Sequence, residues 1–451
     1  MKLLKTIPTL AGLLFFIFSQ AQTPMKFVHP GGVVGQTELD FVKSKILAKQ
    51  QPWYKAFLAV KALARPGTNA MEYIDSHDDN GDAAKSKDDA LKTYANALIW
   101  YFTDQQIYAE QAIALLNSWT ILKGFNNGTD QDKLHAGWIG ALFGPAAEIM
   151  RDYSGWKPED MVKVQEMFKR AYYPQLKTAS TWNGNVDLTQ IDALLNIAVF
   201  NEDEVAFNLG ISRLKKRNPA YFYLASDAAG SRNYGGSSFP GNWSSPTLLL
   251  DGLTQESCRD NNHHAQYGMG SAIHAAEVAW NQGVDIYTEN TQRYTSTIEL
   301  IATQILTGEM QGTCANNKTS VEYLATWEIG YNHYHTRKGI AMPNTEKLIK
   351  EKIRSQASSY LNIFYETLTH ADIVYQTTSA TNPVQSPAIW VFPNPSDDGL
   401  FQINKEVNWE VYNISGCKLK CGFGNSINLS NQTRGLYILK TDKQVSKIII
   451  E

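Results

Sequence analysis

Apolar residues keep a helical spacing from about Phe41 to His370 and then change, near Thr377, to strict alternation. That switch of period limits the chain to a long helical part followed by a short β part. Leu91, Tyr94, Leu98 and Tyr101 recur at i, i+3, i+7 and i+10; Ile139, Leu142, Ala146, Ile149 and Tyr153 do much the same, as do Met161, Val164, Phe168 and Tyr172. Ile191 to Phe200, Met269 to Trp280, Ile298 to Leu306 and Leu348 to Phe364 follow suit. The spacing predicts an all-α domain of about a dozen helices. Its breaks carry Gly, Asn and Pro: Gly124–Asp130, Ser154–Pro158, Asn183–Asn185, Gly230–Pro246 and Met342–Asn344. Gly230–Pro246 is long and holds Tyr234, Phe239 and Trp243, and reads either as a lid or binding wall or as a disordered connection.

Beyond a Ser/Thr/Pro-rich linker over 379–389, residues 390–451 alternate: Phe401 with Ile403, Trp409 with Val411, then Leu436 to Leu439 and Ile448 to Ile450. Turns at Asp398-Gly399, Ser415-Gly416 and Arg434-Gly435 separate them, so this part reads as a small all-β sandwich. At the other end, Lys2 and Lys5 precede an apolar run from Leu10 to Phe18 and then Ser19-Gln20-Ala21, the build of a secretory signal peptide over 1–21. The helical domain then occupies 22–378. No later run has the length of a membrane span, so export without a membrane span is expected. Four cysteines are too few for a disulfide framework, although an oxidising compartment permits Cys258 to pair with Cys314.

With 41 Lys+Arg against 44 Asp+Glu and a formal charge of −3, there is no global basic field for nucleic acid. A polyanion must be met by a local cluster. The densest runs from Gln255 to Gly268 and leads into the helix Met269 to Trp280, placing Arg259, His263, His264, Gln266 and Tyr267 near a helix N-terminus that favours anions. Arg259 offers a planar fork for a carboxylate; the two His and the Tyr are proton carriers. A second cluster, Trp327 to Arg337, alternates Tyr331, His333 and His335, which in an extended segment share a face and line a sugar cleft or pack beneath it. His-x-His lacks a third ligand at recognisable spacing, so no metal is expected. A third, Trp182-Asn183-Gly184-Asn185, precedes a helix and either caps it or donates to a substrate carboxylate. The Asp-rich stretch Asp75 to Asp89 misplaces the Gly of a calcium loop and reads as a solvated turn. Arg213 to Arg217 reads as a solvated basic face.

Val391-Phe392-Pro393-Asn394-Pro395-Ser396, Val411 to Gly416 and Gly435 to Leu439 resemble the type A C-terminal sorting domain of the type IX secretion system of Bacteroidota. The resemblance implies the secretion machinery as a partner, transit through the periplasm, and delivery across the outer membrane to the cell surface or medium. Within the helical part, His29-Pro30-Gly31, Ala112 to Trp119, Leu134 to Trp138 with Ala146 to Glu148, Trp182 to Asn185 with Ala198 to Phe200, Gln255 to Gly268 with Ala276 to Gly283, and Trp327 to Arg337 together resemble the alginate lyase superfamily of polysaccharide lyases. That resemblance implies an incomplete (α/α) toroid and β-elimination of an anionic uronate polysaccharide, alginate first and glucuronan or a related uronate next, with no cofactor.

The chemistry the resemblance implies is removal of the C5 proton while a donor neutralises the adjacent carboxylate. By the same resemblance His264 is the leading base, Tyr267 or Tyr331 the acid, Arg259 the uronate-positioning group, and Asn183 or Asn185 the neutralising donor. Trp182, His263, Gln266, His333 and Trp243 are expected to bind substrate. The sequence departs from the best-known pattern in placing Asn262-His263 after Arg259 instead of on an earlier helix, which leaves His263 and His264 both open. Two other readings compete: a glycoside hydrolase on the same toroid, using two of Glu256, Asp260 and Glu328, and a non-catalytic surface glycan binder.

Overall fold

Three glycines on one helix govern how the helical part packs. Gly137, Gly140 and Gly144 lie along Asp130–Met150 and face the helix Gly184–Asn201. An added Cβ would meet Thr189 at 2.8 Å, Ala193 at 3.1 Å and Asn196 at 3.0 Å. Both residue series ascend together, so the two helices run parallel with their backbones in close approach. The same holds for the next neighbour: Thr189 Oγ1 lies 3.1 Å from Ser271 Oγ and Asp192 Oδ2 lies 3.3 Å from His274 Nδ1, which aligns His263–Asn281 with Gly184–Asn201. Beyond it, Gly270 abuts Thr326, Gly330 abuts Ile273, and Arg337 Nη2 donates to Glu277 Oε1 at 2.8 Å. On the other side Ser86 Oγ, on Asp82–Thr103, is 2.8 Å from His135 Nε2.

The computed structural model describes residues 25–319, 323–356, 359–375, 391–392, 394–414, 416–441 and 445–451; the signal peptide and linker expected at 1–21 and 379–389 lie outside them. The chain divides into two units between Tyr375 and Gln376. In the first, the parallel inner segments Asp82–Thr103, Asp130–Met150, Gly184–Asn201, His263–Asn281 and Glu328–Arg337 are linked by returning outer helices that include Gln106–Ser118, Pro158–Met167, Glu204–Tyr221, Thr291–Thr307 and Pro343–Leu348. This is the (α/α) toroid. Every residue from Gly184 to Phe200 is buried, which is why that inner helix is apolar around most of its circumference and not along one stripe.

Two segments without long helices close the ring. Residues 25–35 strap the C-terminal ends of the inner helices: Gln282 Nε2 donates to Val28 O and Gly31 O, and Val33 N donates to Asn196 Oδ1. The hairpin of Ser359–Tyr360 and Ile363–Phe364 enters the middle. There Asn362 Nδ2 donates to Asp192 Oδ2 (3.2 Å) and Ser271 Oγ (3.0 Å), and Glu366 Oε1 meets His274 Nε2 at 2.8 Å. His274 thus bridges two carboxylates in the interior. Burial alone would depress it, but its hydrogen bonds to the Asp192 and Glu366 carboxylates outweigh that and raise its pKa to about 10.

The second unit is one antiparallel sheet of five strands, Val391–Phe392, Leu400–Asn413, Lys418–Asn428, Gly435–Thr441 and Val445–Ile450. The long strand Leu400–Asn413 pairs with Lys418–Asn428 along one edge and with Val391–Phe392 and Gly435–Thr441 along the other. A register shift between Gln402 and Val407 lets the sheet curl around Phe401, Ile403, Trp409, Val411, Ile427, Leu439 and Ile448. Of the residues that predicted strands, Phe401, Ile403, Trp409, Val411, Leu439, Ile448 and Ile450 face this core, whereas Leu436 and Ile449 are exposed.

The buried imidazoles set the pH range of stability. His274 gains its proton's stabilisation in the fold, so its contribution is complete below the unfolded value of 6.5 and is lost as pH rises toward about 10. His135 and His333, pushed down by burial to about 3 and about 2, act oppositely: their contribution is present above 6.5 and is lost as pH falls below it. Urea midpoints measured from pH 5 to 10 should therefore peak near neutrality, and His274→Gln should flatten the alkaline limb alone. An alkaline limb unchanged in that variant would remove His274 as its cause.

Candidate active site at the N-terminal end of the toroid

Parallel packing brings the N-termini of the inner helices, and the loops before them, to one end of the ring. Helix dipoles there add and favour anions. Tyr221, at the last turn of Glu204–Tyr221, is the hub of the local construction. Its ring fits between Gly184 and Gly268, where an added Cβ would stand 2.3 Å and 2.1 Å from it. Any side chain at either glycine would expel the ring. Seated there, Tyr221 Oη donates to Glu256 Oε2 at 2.9 Å.

Glu256 is buried and accepts two further bonds, from Asn185 N (3.2 Å) and from Arg259 Nη1 (2.8 Å). Gln255 Oε1 accepts from Gly184 N at 2.8 Å. The loop before one inner helix therefore supplies the cap of its neighbour. Asn183 occupies the capping position of Gly184–Asn201, yet its side chain makes no capping bond. Asn185 is buried and its Oδ1 has no partner. Both amides remain uncommitted among the described residues. Burial pushes the Glu256 carboxyl up against the opposing pull of His264 and Arg259, and burial with the Glu256 charge pushes the Tyr221 hydroxyl well above its ordinary value.

His263 and His264 open the helix His263–Asn281, after Asn261 and Asn262 turn the chain with φ of 55° and 73°. Asp260 holds His264 twice: Oδ1 accepts from the backbone N–H at 2.9 Å, and Oδ2 bonds ring Nδ1. Burial raises the Asp260 pKa and those His264 bonds overcome it, leaving the carboxyl below its ordinary value. With Nδ1–H directed to Asp260, the His264 Nε2 lone pair is the atom left to take a proton. His263 Nε2 lies 3.4 Å from Tyr267 Oη, and the three rings stand edge to face at centroid separations of 5.2 to 5.6 Å. Arg259 is half-exposed, and its Nη1 is committed to Glu256.

Other expected residues lie elsewhere. Tyr331, His333 and His335 do not alternate on an extended face, because Glu328–Tyr331 continues as a wide helical turn through Asn332–Arg337. Tyr331 consequently stacks on His335, four residues on, at 4.6 Å, and no contact joins it to His263, His264 or Tyr267 among the described residues. His333 points into the core, stacked 3.6 Å from Tyr287 with Arg337 Nη1 at 3.1 Å from its Nδ1. Gln266 is buried, its Oε1 accepting from Leu324 N at 2.8 Å. Trp243, within the Gly230–Pro246 loop, is buried against Tyr223, Phe239 and Leu253, while Trp182 is 42% exposed. Apolar or aromatic character near a motif does not distinguish a ligand platform from a core filler, and here the core claimed His333 and Trp243.

The basic run Arg213 to Arg217 also differs from the solvated face its composition suggests. Helical spacing turns Arg213 and Arg217 inward onto Asp187, where Arg217 Nε meets Oδ2 at 2.8 Å and Arg213 Nη2 bonds Oδ1. Their partner lies 26 and 30 residues earlier on the preceding helix, so no local pattern shows this. No group of three or more His, Cys, Asp or Glu that could hold a metal ion occurs among the described residues.

The site loop is stapled. Cys258 and Cys314 form a disulfide across a sequence separation of 56, tying Gln255–Asn262 to the turn after Thr291–Thr307. Asn262 Nδ2 adds a bond to Gln304 Oε1 at 2.6 Å.

Residues 390–451 match the family model described as the secretion system C-terminal sorting domain, which assigns the chain to export to the cell surface or medium. The helical part shares its fold with alginate lyases. It superposes on alginate lyase A1-III from Sphingomonas species A1 with TM-score 0.51 and 15% identity, covering 75% of this chain and 95% of that one. A tyrosine-to-phenylalanine variant of alginate lyase A1-III complexed with tetrasaccharide gives TM-score 0.54 at 14% identity, with the same coverage. An alginate lyase from Bacteroides ovatus gives TM-score 0.51 at 14% identity, covering 76% of this chain and 99% of that one. No curated protein matches the sequence significantly. The chain is thus an (α/α) toroid with the fold seen in alginate lyases, carrying an export domain.

Removing the staple tests how far the site depends on it. By loop-closure entropy, Cys258→Ser with Cys314→Ser should lower unfolding free energy by roughly 4 kcal/mol. Denaturant midpoints compared under oxidising and reducing conditions check this: wild type should shift on reduction and the double variant should not.

Proposed function

We propose that the protein is an exported lyase that cleaves a uronic-acid polysaccharide, alginate foremost, by β-elimination at the His263–Tyr267 cluster. The observation that carries this is the Asp260–His264 pair, which holds one imidazole through Nδ1 with its ring edge to face with Tyr267 at 5.6 Å.

The roles follow from the chemistry. A proton α to a carboxylate is hard to remove until that carboxylate's charge is met by donors, because the electron pair left behind delocalises into it. The uncommitted amides of Asn185 and Asn183, the dipoles of two helix N-termini and the open edge of Arg259 supply those donors. His264 Nε2 takes the C5 proton. The Tyr267 hydroxyl gives its proton to the departing O4, and His263 Nε2, at 3.4 Å, can return one to it. The C4–O4 bond breaks as the C4–C5 double bond forms, so the product is unsaturated and no water is consumed. Tyr331, His333, Gln266 and Trp243 have no part in this scheme.

A hydrolase needs two carboxyl groups facing the scissile bond. Glu256 is committed to Tyr221, Arg259 and Asn185, Asp260 to His264, and Glu328 to Arg354 at 2.8 Å. That favours elimination. The test is ultraviolet absorbance of the unsaturated product on polymannuronate, polyguluronate, glucuronan and a glycosaminoglycan in separate incubations. A rise is expected on an alginate block. Reducing ends without absorbance would mean hydrolysis; retention of polymer without product would mean a glycan binder.

His264→Ala should lower turnover by about 10² or more with the fold intact. Arg259→Lys, which keeps the charge and loses the fork, should raise KM more than it lowers kcat. A His264→Ala variant with near wild-type turnover would take that residue out of the mechanism.

A further inference from the structure

Resting on the lyase reading, we infer that Trp182 and Tyr234 form a subsite for a second uronate residue beside the cleavage point, underlain by the buried Arg213–Asp187–Arg217 cluster. The Gly230–Pro246 loop is not a loose connection. Arg217 is fully buried, donates from Nη1 to Ser237 Oγ at 2.9 Å, and stacks its guanidinium 4.8 Å from the Tyr234 ring. Arg232 pins the other limb, donating to Leu224 O at 2.9 Å and lying 5.2 Å from Phe239.

These clamps set the tip of the loop against the segment that leads to Asn183. A Cβ on Gly235 would lie 3.2 Å from Ser180 O, and one on Gly236 only 2.1 Å from Thr181 O. Tyr234 and Trp182 therefore come from two chain segments in direct backbone contact. Trp182 is exposed, and Tyr234 is half-buried with one face on Arg217.

Two features define the occupant. An exposed indole and a half-buried phenol on neighbouring segments suit the apolar face of a pyranose ring. Beneath Tyr234, two guanidinium groups share one carboxylate, Asp187, which leaves a net positive charge with Arg217 Nη2 lacking a partner. A charge buried in low dielectric acts over a longer range than one in water, so it favours an anionic sugar over a neutral one. The chemical class is a uronate ring with its carboxylate directed toward the Arg cluster.

The test uses the full exported chain in two readouts. In native gels cast with polyuronate, Trp182→Ala and Tyr234→Ala should each weaken retention about fivefold to tenfold, and Tyr234→Phe, which keeps the ring, should not. In the product assay the same two variants should raise KM for polymer by a similar factor and hold kcat within about twofold. A neutral β-1,4-linked mannan should be retained weakly by the wild type. Unchanged retention in both alanine variants overturns the subsite. So does a fall in kcat matching the rise in KM, or equal retention of the neutral polymer. Retention needs no turnover, so a protein that forms no unsaturated product and still loses polyuronate on Tyr234→Ala would refute elimination and leave the subsite standing. Trp182 is exposed, which keeps one arm readable if Tyr234→Ala fails to fold.

Discussion

Parallel packing of the inner helices is the constraint from which the rest of this protein follows. It is made possible by close approach at Gly137, Gly140 and Gly144, and its consequence is electrostatic. Antiparallel neighbours would cancel their dipoles. Parallel ones place their unsatisfied N–H groups at a single end, and something must satisfy them. Here a neighbouring loop does so, with Gln255 and Glu256 capping Gly184 and Asn185. Asn183 and Asn185 are thereby released from the capping work that such residues ordinarily perform. An end of the ring that attracts anions and carries uncommitted amides is suited to a polyanion even though the chain as a whole is slightly acidic.

Glu256 resolves a conflict in that arrangement. A carboxylate inside an anion-binding end opposes the ligand, and burial makes its charge costly. Three donors offset this: Tyr221 Oη, Arg259 Nη1 and Asn185 N. The same bonds fix Arg259 in direction, so its charge is partly neutralised and its remaining edge is aimed. Positioning has been obtained at the expense of local field, which leaves helix dipoles and Asn amides as the main donors at this end of the ring.

What could be read from the sequence follows the range over which each signal acts. Helical period is local, so the toroid's helices and the strands around Phe401, Trp409 and Val411 were visible residue by residue. Asp260, four residues before His264, was equally local, yet the sequence reading takes it only as a carboxylate for hydrolysis and not as the partner that holds His264. The roles of Tyr221 and of Arg213 with Arg217 were not legible. Each depends on a partner far along the chain, Gly184 and Gly268 in one case and Asp187 in the other. Alternation at Tyr331, His333 and His335 misled for a related reason: three residues spaced by two fit an extended strand, and only the surrounding helix turns His333 into the core.

The buried His274 bridge ties the ring's middle to the helix that carries Asn185. Asp192 lies on the same helix as Asn185, about two turns further along, and Glu366 lies just past the hairpin that fills the ring. With His274 charged, one imidazolium links that helix to the closing segment, and Asn362 reinforces the link through Asp192 and Ser271. The residues that would meet substrate therefore stand on helices whose far halves are welded by a buried ion pair. Loss of that pair need not open the fold to disturb the site. A small relative shift of Gly184–Asn201 against His263–Asn281 is enough to move Asn185 relative to His264, and hydrogen bonds across a cleft tolerate errors of only a few tenths of an ångström.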